Sequence, residues 1–163
     1  MTADPAQPAQ PAQPALNEQT AAIQAAAPLI GTLGIEVLEL DRDHCLLRLP
    51  DLVSSRNHMG GPHAGAIFTL GETAAATLTV QNFSSWFDRV VPLAVNAEIS
   101  WSKLARSAVT AEARMLRPAA EIEADLVAGT RPEWSSHLVF RREQDGQVCG
   151  EMTVVLTLAE RRD

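Results

Sequence analysis

Lysine is nearly absent from this chain. Lys103 is the only one, and 20 aspartates and glutamates against 13 lysines and arginines leave a net charge of −7. A protein that grips nucleic acid shows a basic face or stripe, so that class of function is excluded. A polyanionic small molecule would need a local basic patch working against the overall field. Arg56, Arg89, Lys103, Arg106 and Arg131 are the cations available to form one. Cysteine is scarce too: Cys45 and Cys149 stand apart in apolar, strand-like surroundings without CxxC or Cys/His spacing. That excludes a disulfide framework and a zinc site, and both read as buried small hydrophobes in a reducing cytoplasm. The N-terminal MTADPAQPAQPAQPALNEQ lacks a basic stretch followed by an apolar one, which argues against a signal peptide or membrane anchor.

At 163 residues and 17.5 kDa the chain has the length of one domain. Residues 1–16, with Pro-Ala-Gln repeated, predict an extended, solvated tail, and residues 17–163 a single domain. A short helix is expected from Asn17, as N-cap, to an interruption at Pro28. IEVLEL and HCLLRLP read as two strands joined by the polar turn Asp41-Arg42-Asp43. After the loop SSRNHMGGP, the run from His63 to about Gln81 reads as a helix buried on nearly every side. Its glutamate, glycines and threonines exclude a membrane span. Beyond Pro92, period-two patterning puts Val95, Ala97, Ile99 and Trp101 on one face, and Val109, Ala111, Ala113 and Met115 repeat it. Arg117 to Ser135, broken by Pro118, Gly129 and Pro132, predicts a loop containing a helical turn. SHLVFRRE and GEMTVVLTL supply the last strands across Asp145-Gly146. This order predicts the α+β class, with about six antiparallel strands curved around one long helix. A lone sheet of that kind leaves a face and its edges open, so a homo-oligomer, dimer or tetramer, is expected.

Charge is also missing from the middle of the chain: between Arg56 and Asp88 the only charged side chain is Glu72. A carboxylate in an apolar helix costs several kcal/mol of desolvation unless it is paired, hydrogen-bonded or protonated. Its retention there points to proton chemistry, or to a structural carboxylate bonded to Asn57 or to the loop amides. His58 and His63 with Glu72 lack metal-type spacing, so no metal is expected.

Asn57, Gly60, His63, Gly65, Phe68, Leu70 and Glu72, in RNHMGGPHAGAIFTLGETA, resemble the hotdog-fold acyl-CoA thioesterases, close to the PaaI-like group and its DUF4442-type relatives. The resemblance extends over roughly residues 30 to 160 through the strand order and the EISWSKLAR segment. It implies a hotdog fold and hydrolysis of an acyl-CoA or related thioester, with no cofactor beyond the CoA of the substrate. Glu72 would be the general base or nucleophile, with a pKa raised by the helix. The helix-start amides of Ala64 and Gly65 would polarise the carbonyl. Asn57 would orient water or carbonyl from across a dimer interface, and His63 would fix the loop. Gly60, Gly61, Phe68, Lys103 and Arg106 would contact substrate. The family usually has Gly-Gly where this chain has Ala64-Gly65, and a hydroxyl that some members carry is absent at Ala75 and Ala94. A non-catalytic module that binds an acyl or CoA ligand, or only dimerises, is the alternative.

Overall fold

The structure, a computed structural model, describes residues 12–161. Most of the predicted tail therefore lies outside the described residues. Its last part is helical, because α1 spans Gln13–Ala26 with Pro14 in its first turn, where a proline has no helical hydrogen bond to forfeit. Asn17 is not the cap; it sits inside α1 and accepts a 3.3 Å bond from Gln13. Pro28 likewise begins a helix, α2 (Pro28–Leu33), which ends at Gly34 in the left-handed conformation.

β1 (Glu36–Leu40) and β2 (His44–Leu49) form the predicted hairpin. Asp41 Oδ1 closes its turn by accepting from the backbone N–H groups of Asp43 and His44, both at 2.8 Å. The long helix α3 spans Ala64–Phe83. β3 (Val90–Trp101) and β4 (Val109–Met115) follow, then α4 (Ala119–Val127), β5 (Glu133–Arg142) and β6 (Val148–Glu160). The segment expected to be a loop with one helical turn thus holds a nine-residue helix, anchored by fully buried Ile122, and β5 starts earlier than the alternation suggested.

All six strands join one antiparallel sheet in the order β1-β2-β4-β5-β6-β3. α3 packs chiefly against β2 and β4, and buried Leu47, Leu70, Leu78, Val109, Leu138 and Phe140 fill the layer between helix and strands. Gly71 permits that approach: a Cβ there would lie 2.6 Å from Met152 Sδ and 2.7 Å from Phe140 Cζ. Three helical threonines satisfy their hydroxyls on carbonyls four residues back, Thr69 on Gly65, Thr77 on Thr73 and Thr79 on Ala75. Cys45 and Cys149 are free and buried, and burial pushes the Cys45 thiol up to about 12.

Two features of the sheet layer differ from a closed shell. β3 is an edge strand paired only to β6, and Leu93, Val95 and Trp101 on it are about half exposed. On α3, Gly65, Phe68 and Val80 are exposed, with Thr69, Glu72 and Ala76 only partly covered. These residues recur every three to four positions, so they form one stripe along the helix. The helix is therefore open along one side, where burial on nearly every side was expected.

Candidate functional site

Glu72 lies midway along that open stripe, partly buried, one turn past Phe68. It has no hydrogen bond or ion pair with any described residue. Burial alone raises its carboxyl above the ordinary glutamate range, and no cation offsets the effect. Neither Asn57 nor a loop amide bonds to this carboxylate among the described residues.

The loop before α3 is tied to itself. Asn57 Nδ2 donates to Pro62 O at 3.2 Å, while its Oδ1 accepts from Met59 N at 2.9 Å and Gly61 N at 3.4 Å. The Asn57 amide N–H donates to Gly61 O, and His63 N–H to Ser55 O at 2.8 Å. Asn57 therefore spends its oxygen and one N–H on loop shape, leaving a single side-chain N–H for anything else. Gly61 is buried where a Cβ would run into the Ala105 carbonyl oxygen, so its requirement is close packing rather than the substrate contact expected of it. Gly60 is exposed with φ 78, a left-handed turn position that suits glycine.

His63 is the N-cap of α3: its Nδ1 accepts from the Gly65 N–H at 2.9 Å. That fixes the loop, as expected of His63, but it also occupies one of the two amides expected to polarise a carbonyl. Gly65 N–H is taken, whereas the Ala64 N–H carries no hydrogen bond among the described residues. The donor at the helix start is therefore Ala64 alone, beside the positive end of the helix dipole. Ala64 and Glu72 are eight residues apart on one helix, about 12 Å along its axis at the standard rise. Their backbones thus stand more than two turns apart.

Lys103 and Arg106 lie just past β3, exposed, on the segment that packs by Ala105 against Gly61. Lys103 Nζ donates to Gln147 Oε1 at 2.9 Å. Arg56, another candidate cation, donates through Nε and Nη2 to the two carboxylate oxygens of Asp51, at 2.9 and 2.8 Å. Ala75 faces the core and Ala94 lies exposed on β3. Among the described residues there is no cluster of three or more His, Cys, Asp or Glu able to hold a metal, and no helix is long and apolar enough to cross a membrane. Sequence reasoning missed that Phe68, Glu72, Ala76 and Val80 share an uncovered stripe, although their spacing carries the signal.

The profile of DUF4442, a domain of unknown function, matches residues 17–158. Among proteins of curated function, none matches. A solved Pseudomonas aeruginosa protein of unknown function, described as a probable thioesterase, is similar at 24% identity and a TM-score of 0.78, covering 89% of this chain and 95% of that one. A Shewanella oneidensis protein described as a putative thioesterase gives 15% identity and a TM-score of 0.76, over 91% and 99% of the two chains. A thioesterase family protein from Silicibacter pomeroyi gives 17% and 0.68, over 90% and 99%. The shared architecture is the hotdog fold, a long helix wrapped by a curved antiparallel sheet.

Proposed function

Because the chain belongs to the DUF4442 family and shares a fold with proteins described as thioesterases, we propose that it hydrolyses an acyl thioester, carried on CoA, to the free acid and thiol. The observation that supports this most is Glu72: a carboxylate without a partner, raised by burial, on the open stripe of the central helix. As general base it removes a proton from water while the oxygen attacks the thioester carbon. The carbonyl oxygen, becoming negative, takes its hydrogen bond from an Ala64 N–H. Collapse expels the thiolate, which recovers the proton from Glu72 to leave as thiol. Direct attack by the carboxylate reaches the same products through an anhydride that water then opens. Neither route needs a metal or cofactor.

The separation of Ala64 from Glu72 along α3 favours a site built from two copies. One copy supplies Glu72, and the other faces it with its helix start and Asn57. The open stripe and the unpaired edge of β3 are the surfaces such a partner would cover. The direct test is release of thiol from a panel of acyl-CoA thioesters by wild type and Glu72→Gln. Loss of about 10²–10⁴-fold in kcat/KM is expected for the variant. Full turnover by a folded Glu72→Gln protein would end the catalytic assignment.

The second reading, a module that binds an acyl or CoA ligand without cleaving it, draws on the occupied Gly65 amide and on Asn57 being committed to its own loop. It predicts a higher melting temperature with acyl-CoA and no free thiol.

A further inference from the structure

Several arginines of this chain are neutralised in place. Arg48 binds Glu143 at 2.7 Å and Glu36 at 3.1 Å, Arg114 binds Glu112 at 2.9 Å, Arg117 binds Asp125 at 2.7 Å, and Arg142 binds Asp145. Arg131 and Arg161 have no carboxylate partner among the described residues, yet both line one cleft of about 990 Å³. The cleft opens beyond the C-terminal end of α3, between the start of β3, the end of β6 and the α4–β5 connection, and Glu72 does not line it. Arg131 Nε donates to Thr157 Oγ1 at 2.9 Å, and that hydroxyl donates onward to Pro132 O at 2.7 Å. One Arg161 nitrogen donates to Phe87 O at 2.9 Å. Each guanidinium is thus steadied through one nitrogen, and its remaining N–H groups have no partner among the described residues.

A third arginine on the same wall, Arg89, lies over the Trp86 ring at 4.3 Å from its centroid. The carboxylates in the cleft are Asp88 and Glu160. Asp88 is exposed and reaches Arg89 only at 3.6 Å. Three guanidinium groups face two carboxylates in the lining, with Glu123 just outside it accepting from the Trp86 indole N–H at 3.4 Å, which concentrates arginine in a protein of net charge −7. Planar guanidinium forks match phosphate oxygens in pairs. A tryptophan beside an arginine plane offers a face on which an aromatic base can stack. The volume sits at the upper end of the roughly 300–1,000 Å³ usual for ligand sites.

We propose that this cleft binds the nucleotide end of the substrate, an adenosine carrying phosphates, with Arg131 and Arg161 on phosphate and Trp86 with Arg89 against the base. The identity of the ligand rests on the thioesterase reading above; the binding itself does not need turnover to be measured. The cations expected from the sequence to form an anion patch divide accordingly. Arg89 and Arg131 belong to the cleft, Arg161 joins them, and Arg56, Lys103 and Arg106 lie elsewhere.

The test is a calorimetric and tryptophan-fluorescence titration of the full chain with adenosine 3′,5′-bisphosphate, beside adenosine alone and inorganic phosphate alone. The bisphosphate is expected to bind and each single component to bind at least tenfold more weakly. Arg131→Gln, which can still donate to Thr157, and Arg161→Gln are each expected to weaken the bisphosphate at least tenfold at unchanged melting temperature. Trp86→Ala should weaken binding of the bisphosphate and of adenosine while leaving inorganic phosphate unchanged. No bisphosphate binding, wild-type affinity in both arginine variants, or phosphate binding as tightly as bisphosphate would each overturn the proposal. A thioester on N-acetylcysteamine, which lacks the nucleotide, separates the two readings. Nucleotide binding without hydrolysis of any thioester removes the enzyme and keeps the cleft. Hydrolysis of both thioesters with equal KM removes the cleft and keeps the enzyme.

Discussion

At the scale of single residues, Glu72 is where burial and charge are in open conflict. Its folded-state pKa lies above the unfolded value because burial disfavours the carboxylate. The stability it allows is complete below the unfolded carboxyl pKa and is lost as pH rises through the folded one. Glu72→Gln has nothing to ionise, so its melting temperature should match wild type at about pH 3 and exceed it at about pH 8, read by thermal unfolding across that range. A wild type more stable than the variant at high pH would mean that the carboxylate has found a partner. The same direction applies to activity: as a base, Glu72 makes kcat/KM rise with pH above the ordinary glutamate range, a profile visible in the thiol-release assay. Cys45 makes the contrasting case. A fully buried thiol pushed up to about 12 is inert, so native protein should resist alkylation there and react only once unfolded, as mass spectrometry of the modified peptide would show.

At the scale of elements, prolines decide where sequence reasoning holds and where it slips. Pro28 and Pro118 read as breakers and Pro14 as part of an extended tail, yet each stands at the start of a helix: in the first turn of α1 and α2 and at the N-cap of α4. A proline ends the helix behind it and favours one ahead of it, and the sequence alone does not say which is meant. Alternation gave no such ambiguity: buried Val109, Ala111 and Ala113 on β4 fall where their period of two puts them. The candidate carboxylate was legible because isolation of charge is a one-dimensional signal. The state of the Gly65 amide was not, since it depends on where the His63 ring turns. Glycines on the helix and its loop turn this packing into numbers. Gly71→Ala gains about 1 kcal/mol of helix propensity but forces Met152 and Phe140 apart at a cost of about 1–3 kcal/mol, so a net loss is expected in urea unfolding. Gly61→Ala meets the Ala105 backbone, which no side-chain rotation relieves, and should lose about 2–3 kcal/mol by the same measurement. Equal midpoints for Gly61→Ala and wild type would show that the loop does not press on the Ala105 backbone.

At the scale of the whole molecule, the sheet joins residues far apart in sequence. The pairing of Val90 with Glu160 and of Val91 with Ala159 carries the end of β6 to the start of β3, which is how residues 86, 131 and 161 come to share a cleft. The same topology leaves β3 at the edge for its full twelve residues, with Leu93, Val95 and Trp101 exposed beside the open stripe of α3. A long edge strand bearing apolar side chains recruits another strand unless charge, proline or a covering element blocks it. Here the strand carries Pro92 near its start and Glu98 as its one charge, with neither at Val95, which sits in a bulge between Ala94 and Asn96. A second copy meeting the first along this edge would cover both open surfaces and set one copy's Ala64 amide opposite the other's Glu72, removing the 12 Å problem of a single helix. Val95→Lys places a charge in the middle of that edge without touching the core. Light scattering should then find a species of twice 17.5 kDa or more for wild type and about 17.5 kDa for the variant, with turnover lost in step while the circular dichroism spectrum is kept. A folded monomer that hydrolyses thioesters at the wild-type rate would sink the two-copy site, because all the chemistry would then have to fit within one chain whose donor and base stand two turns apart.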